Sequence, residues 1–130
     1  MIKPRIAVIE DDGDLRESIG LMLHYEGHEV SEFSNAKDAI QSLEEGLPVD
    51  VILLDLMMPV MTGWEFCEYR AKSPALAKVP VIIITACRAV PPPIGVSDVL
   101  LKPFDGDELQ HAIAKVVAGS SVPDTPGSPW

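Results

Sequence analysis

Apolar residues in this chain gather in five short runs, and the stretches between the first four, and after the last, have helical spacing. Arg5–Glu10 carries Ile6, Val8 and Ile9 and reads as a strand buried on both faces. Leu15, Ile19, Met22 and Leu23 follow at i, i+4, i+7 and i+8, one face of an amphipathic helix. Asp14 is placed to cap it, with Glu17 in the capping-box position, and Gly27 to end it. His28–Phe33 is a more polar strand, which belongs near a sheet edge. Ser34 or Asn35 starts a second helix with Ala36, Ala39, Ile40 and Leu43 inward, stopped by Gly46 and Pro48. Val49–Leu54 is another buried strand and runs into Asp55. Pro59 and Gly63 mark a loop. A third helix, from about Gly63 to Arg70 or Ala71, turns Phe66 and Cys67 inward. Pro80 opens Val81–Thr85 (VIIIT), the most strand-like segment. Val99–Leu101 is a short last strand, ended by Lys102-Pro103-Phe104. A final helix starts at Asp105 or Asp107, with Leu109, Ile113, Val116 and Val117 on one face.

The stretch from Cys87 to Asp98 breaks the rhythm. Pro91, Pro92 and Pro93 cannot continue a helix or a central strand, so an extended loop or at most one turn is expected there. Strands alternating with helices imply a parallel sheet covered on both faces, with right-handed connections. Five strands with an early polar edge strand fit the doubly wound, flavodoxin-like order 2-1-3-4-5. In that order ligands bind at the switch between strands 1 and 3, outside the carboxyl ends of the strands. From Gly119 the composition turns to Pro, Gly and Ser. The expected organisation is therefore one domain over 1–118 and a flexible tail over 119–130.

Composition narrows the class. The chain has 130 residues, with twenty Asp and Glu against ten Lys and Arg, a formal charge of −10. That charge argues against nucleic acid or an anionic membrane as the direct partner. No apolar stretch approaches the roughly 20 residues that span a bilayer, and the N-terminus has no signal-peptide anatomy. A cytoplasmic protein is expected. Cys67 and Cys87 are too few for a disulfide scaffold and are expected to be buried small hydrophobes.

The strand ends carry the chemistry. Glu10, Asp11 and Asp12 close strand 1, and Asp55 closes strand 3. Two carboxylates about 4 Å apart repel by roughly 4 kcal/mol at an effective dielectric near 20, so the cluster must recruit a cation or protonate. An incomplete cage of oxygens suits Mg²⁺, which keeps several waters and shares a phosphate. Thr85 and Lys102, at the ends of strands 4 and 5, point into the same crevice. A carboxylate nucleophile, a divalent-metal site, a hydroxyl and an ammonium make a phosphoryl-transfer set. Asp12 is read first as a helix-start residue favoured by the helix dipole, and only as an accessory pocket acid second. His24, His28 and His111 do not cluster and are read as surface or packing residues, and Trp64 as a helix-surface residue.

Four segments, IAVIEDDGDLRE, DVILLDLMMPVMTGWEF, VPVIIITA and LLKPFDGDEL, taken in this order, resemble the response-regulator receiver domain of two-component signalling. The resemblance covers about residues 4–118. It implies that Asp55 is the phosphorylated aspartate and that Asp11 binds Mg²⁺ (or Mn²⁺) directly. Glu10 would act mainly through metal-bound water, and the backbone carbonyl of Met57 would supply a further ligand. It implies that Thr85 follows the phosphoryl group, that Lys102 neutralises it, and that Lys102–Pro103 is cis. The implied partners are a histidine kinase or phosphotransfer protein and an unidentified downstream protein. The domain would assist its own phosphorylation and dephosphorylation without being a metabolic enzyme. If the chain is complete, a tail this short holds no output domain, and output is by protein contact.

The sequence also departs from that family. An aromatic residue is usual three places before the lysine, and Val99 stands there. The stretch from Thr85 to Lys102 is several residues shorter than usual, at the place of a helix that normally remodels for output. The partner is therefore expected to use helix 1 or the proline loop in an extended mode. Met57 and Cys87, two places after Asp55 and Thr85, are poor at orienting water, which implies a long-lived phosphoryl group. A pseudo-receiver, a binding module no longer switched by phosphate, is the alternative. An aspartyl phosphatase would want a second acid where Met57 stands, and a flavin-binding relative would want a Ser/Thr-rich loop in place of EDDGD.

Overall fold

The computed structural model describes residues 3–88 and 90–121. The unbroken apolar runs became the middle of the sheet. β1 (Arg5–Ile9), β3 (Val51–Asp55) and β4 (Val81–Thr85) are hidden on both faces. β2 (Glu29–Phe33), the polar strand, lies at one edge, and β5 (Asp98–Leu101) at the other. All four pairings are parallel, in the order β2-β1-β3-β4-β5. This is the expected doubly wound order. Alternate residues of the central strands feed two cores. Ala7, Ile9, Ile52, Leu54 and Ile83 pack with α2 (Ala36–Glu44) and α3 (Gly63–Lys72). Ile6, Val8, Leu53, Ile82 and Ile84 pack with α1 (Gly13–Tyr25) and α4 (Gly106–Ser121). Burying each Val, Leu or Ile side chain among these stabilises by about 2 kcal/mol, so both faces contribute to holding the strand ends in register.

Several boundaries differ from expectation for local reasons. Helix α1 is capped by Asp12, not Asp14: the Asp12 carboxylate accepts from the N–H groups of Asp14 and Leu15. One acid earlier in a run of acids reaches both orphan donors, and Asp14 falls in the first turn, where the helix dipole favours it. Gly27 ends the helix at φ +91°, as expected of a C′ glycine. Asn35 caps α2. A capping box formed by Thr62 and Glu65 starts α3, which extends to Lys72. β3 begins two residues later than the apolar run, and β5 one residue earlier. Asp105 and Glu108 hold the start of α4 by exchanging backbone-to-carboxylate bonds. That helix continues to Ser121, beyond Gly119, and 122–130, the rest of the expected tail, lie outside the described residues.

Between β4 and β5 no helix forms among the described residues. Ser97 rejoins the sheet by donating to Val81 O. The proline segment folds back on α3, and the Trp64 indole N–H donates to Pro91 O at 3.1 Å. Trp64 is therefore half-buried against the core and anchors the loop; it is not a plain helix-surface residue. His28 is buried and bridges Pro4 O and Gln110 Oε1, a packing role, whereas His24 and His111 are exposed. Among the described residues no helix is long and apolar enough to cross a membrane.

Candidate phosphoryl-transfer site

The carboxyl ends of β1, β3, β4 and β5 open on one cleft of about 480 Å³, lined by Glu10, Asp11, Asp12, Asp55, Met57, Thr85, Ala86, Cys87 and Lys102. Each acid owes its place to a strand end. Parallel register sets Ile9 opposite Leu54, so the residues that follow, Glu10 and Asp55, emerge side by side. The Glu10 N–H is fixed by Phe33 O at 3.0 Å, and its carbonyl accepts from the Arg16 guanidinium at 2.9 Å. Behind Asp55 the helix α3 comes very close. A Cβ on Gly63 would lie 2.8 Å from Leu56 Cα and 2.9 Å from Asp55 O, so only glycine fits there. The loop between them carries Val60 at φ 72°, a left-handed conformation that a β-branched residue adopts only under strain.

The structure brings together three carboxylates. One oxygen from each of Glu10, Asp11 and Asp55 lies within 4.8 Å of the others. Glu10 and Asp55 are only 1% and 4% exposed, and Asp11 faces solvent. Lys102 reaches in from the end of β5, its Nζ 2.7 Å from Glu10 Oε1 and 3.4 Å from Asp55 Oδ1. A cis Lys102–Pro103 bond follows it. Burial, then the charge of Glu10, pushes the Asp55 carboxyl up to about 7 despite the opposing pull of Lys102. Burial also works against the Lys102 charge, but its contacts with Glu10 and Asp55 outweigh this and hold the ammonium above its ordinary range. One ammonium thus serves two buried acids, which leaves the cluster short of positive charge. An all-oxygen set open on one side fits a hard cation such as Mg²⁺ rather than a soft metal.

The remaining candidates divide. Thr85 is 2% exposed, and its hydroxyl accepts from the Cys87 N–H at 3.1 Å. Its carbonyl accepts from the Lys102 N–H at 2.8 Å, so the Thr85 and Lys102 backbones are tied. Asp12 lines the cleft but spends a carboxylate oxygen on the helix cap and stands outside the group of three. Cys67 is buried, whereas Cys87 is half-buried and lines the cleft. The strand that precedes Cys87 ends at Thr85, so its side chain turns to the cleft wall and not into the core. Val99 is 37% exposed. It lines a second cavity of about 430 Å³ with Leu56, Val90, Pro92 and Leu101, and this cavity shares Thr85 and Cys87 with the cleft. Arg16 was not singled out by the sequence pattern. Its only sequence signal is a position one helical turn after the cap residue Asp12.

The family model for the response regulator receiver domain matches residues 6–114. A DNA-binding dual master transcriptional regulator, RpaA, from Synechocystis is 34% identical over 82% of this chain and 46% of its own length. The phosphate regulon transcriptional regulatory protein PhoB of Rhizobium meliloti is also 34% identical, over 85% of this chain and 50% of its own. The chain thus spans about half the length of these curated relatives. Among solved structures, the signal receiver domain of a histidine kinase from Syntrophus aciditrophicus superposes with a TM-score of 0.80 at 23% identity, covering 95% of this chain and 96% of that one. The receiver domain of a Pseudomonas aeruginosa sensor histidine kinase, described with a magnesium ion coordinated in the active site cleft, gives 0.79 at 26%, covering 88% of this chain and 98% of that one.

Proposed function

Since the chain belongs to the response regulator receiver family of two-component signalling, we propose that it is a switch driven by phosphorylation of Asp55. The observation that carries this reading is the convergence of Glu10, Asp11 and Asp55 with Lys102 in one cleft. The phosphodonor is a phosphohistidine on a histidine kinase or phosphotransfer protein. An Asp55 carboxylate oxygen forms the new bond to phosphorus, the bond from phosphorus to the donor imidazole breaks, and the imidazole leaves with the electron pair. Asp55 must be ionised to attack, and Lys102 favours that form. Glu10, Asp11, Asp55 and the Met57 carbonyl would hold Mg²⁺, or Mn²⁺ in its place. When bound, the ion neutralises developing charge on the phosphoryl oxygens. Lys102 offers the same kind of neutralisation from the other side of the cleft. The Thr85 hydroxyl, which accepts from Cys87, keeps its own proton for a phosphoryl oxygen. The net charge of −10 supports a protein, not nucleic acid, as the direct contact of this segment.

A second reading is favoured by one observation: Val99 and the proline loop stand where an aromatic residue and a helix would relay the switch. On that reading the domain is a binding module indifferent to phosphate. Beryllofluoride with Mg²⁺, followed by amide chemical shifts, separates the two. A switch binds the complex and shifts resonances in β4, the 86–97 loop and β5. A module that shows no binding, or shifts confined to the cleft acids, refutes switching. Changes confined to a regular helix over 88–98 would refute the loop's part in output.

A further inference from the structure

We propose that Arg16 is a positioning residue for the metal-binding acids, held in place by Glu32 through the absence of a side chain at Gly20. This rests on the metal reading of the cleft given above. The Glu10–Asp11–Asp12 turn sits between β1 and α1, and its peptide planes decide where the Glu10 and Asp11 carboxylates point. Four contacts fix Glu10. Phe33 O takes its N–H, Lys102 takes Oε1 at 2.7 Å, the Asp12 N–H takes Oε2 at 3.1 Å, and Arg16 takes its carbonyl at 2.9 Å. Of these only the Arg16 bond sets the plane of the peptide that leads into Asp11.

Arg16 is itself braced. Its Nε lies 3.6 Å from Glu32 Oε1 on β2, and its side chain is 23% exposed. Arg16 also belongs to the first turns of α1, where its N–H donates to Asp12 O at 2.8 Å. The guanidinium therefore spans the turn from its helix side to its strand side, as a planar fork with several donors can. Glu32 reaches this position by lying across the helix at Gly20, where an added Cβ would sit 2.4 Å from Glu32 Oε2. Glycine in mid-helix is disfavoured, and the carboxylate lying over it gives a reason for it here.

The sign of the effect on metal affinity separates positioning from charge. Arg16 is a cation beside a cation site. If charge were its only influence, neutralising it would tighten Mg²⁺ binding. Loss of positioning weakens it, and partners that orient metal ligands typically change affinity by 10- to 100-fold. The test is Mg²⁺ titration by calorimetry on the whole chain, with Mn²⁺ paramagnetic resonance as a second readout and unfolding midpoints in EDTA as a control for folding. Arg16→Gln is expected to weaken Mg²⁺ by about 10-fold, with Arg16→Lys between it and wild type. Gly20→Ala keeps every charge and improves helix propensity, yet is expected to weaken Mg²⁺ several-fold without lowering the midpoint. Equal or tighter binding in Arg16→Gln overturns the positioning role, and unchanged binding in Gly20→Ala overturns the brace. A wild-type chain that binds neither ion overturns the metal reading itself, and the proposal with it.

Discussion

Replacing Asp55 with Asn should stabilise the metal-free protein, and the gain should grow with pH. Asp55 is 4% exposed, and burial together with Glu10 lifts its carboxyl from 3.8 to about 7. Below about pH 4 the group is protonated in both folded and unfolded chains and contributes little. As pH rises toward 7 the unfolded chain ionises first, so folding becomes less favourable. Above 7 the penalty is constant. A rise of about three pH units at about 1.4 kcal/mol each sets the ceiling near 4 kcal/mol at pH 8, and only a small fraction of that is present at pH 4. Asn keeps the shape and removes the ionisation. Against a total stability of about 5–15 kcal/mol, the difference is large. Urea unfolding in EDTA is expected to give Asp55→Asn an advantage of about 2–4 kcal/mol at pH 8 that shrinks below 1 kcal/mol near pH 4. Mg²⁺ should narrow the gap at pH 8, because it stabilises wild type by binding the folded state. An Asn variant no more stable than wild type at pH 8, or an advantage independent of pH, would show that the buried Asp55 carboxylate carries no such penalty.

Lys102→Met leaves Glu10 and Asp55 without their ammonium and is expected to cost about 3 kcal/mol in EDTA. The same change frees both acids, so Mg²⁺ should raise this variant's melting temperature more than wild type's, as scanning calorimetry with and without the ion would read. Val60→Gly relieves the φ 72° strain at an exposed position and should stabilise by about 1 kcal/mol, after allowing for the entropy of glycine; a loss in urea unfolding would contradict the strain. Met57 is exposed beside Asp55 and Cys87 lines the same cleft. Met57→Asn with Cys87→Glu, which bring water-binding groups to both positions, should speed loss of the phosphoryl label by about 10-fold or more, measured after removal of the donor.

The sheet was legible because β1, β3 and β4 are covered on both faces, which demands unbroken apolar runs such as VIIIT. The polar EVSEF run announced an edge. The strand-end rule brings Glu10 and Asp55 to one crevice from sequence position alone, and Thr85 and Lys102 with them. The start of α1 was less legible, because several acids in Glu10–Asp14 compete for one cap and only the helix geometry selects Asp12. Cys87 was misplaced because the chain turns sharply after Thr85. Trp64 was misplaced because its partner, Pro91, is distant in sequence and joins it only when the proline loop folds back. Arg16 and Glu32 were invisible for a related reason. Their meeting depends on how α1 lies across β1 and β2, which no local spacing encodes.

Phosphoryl transfer to Asp55 in this cleft, with the help of a divalent ion, can be followed as label passed to the protein from histidine kinases of the host, with Mg²⁺ and with EDTA and with Asp55→Asn as the control. The expected result is one base-labile label on wild type, lost in Asp55→Asn and in EDTA. A wild-type chain that stays unlabelled by every kinase and by a small-molecule phosphodonor, or a label that persists in Asp55→Asn, would contradict it.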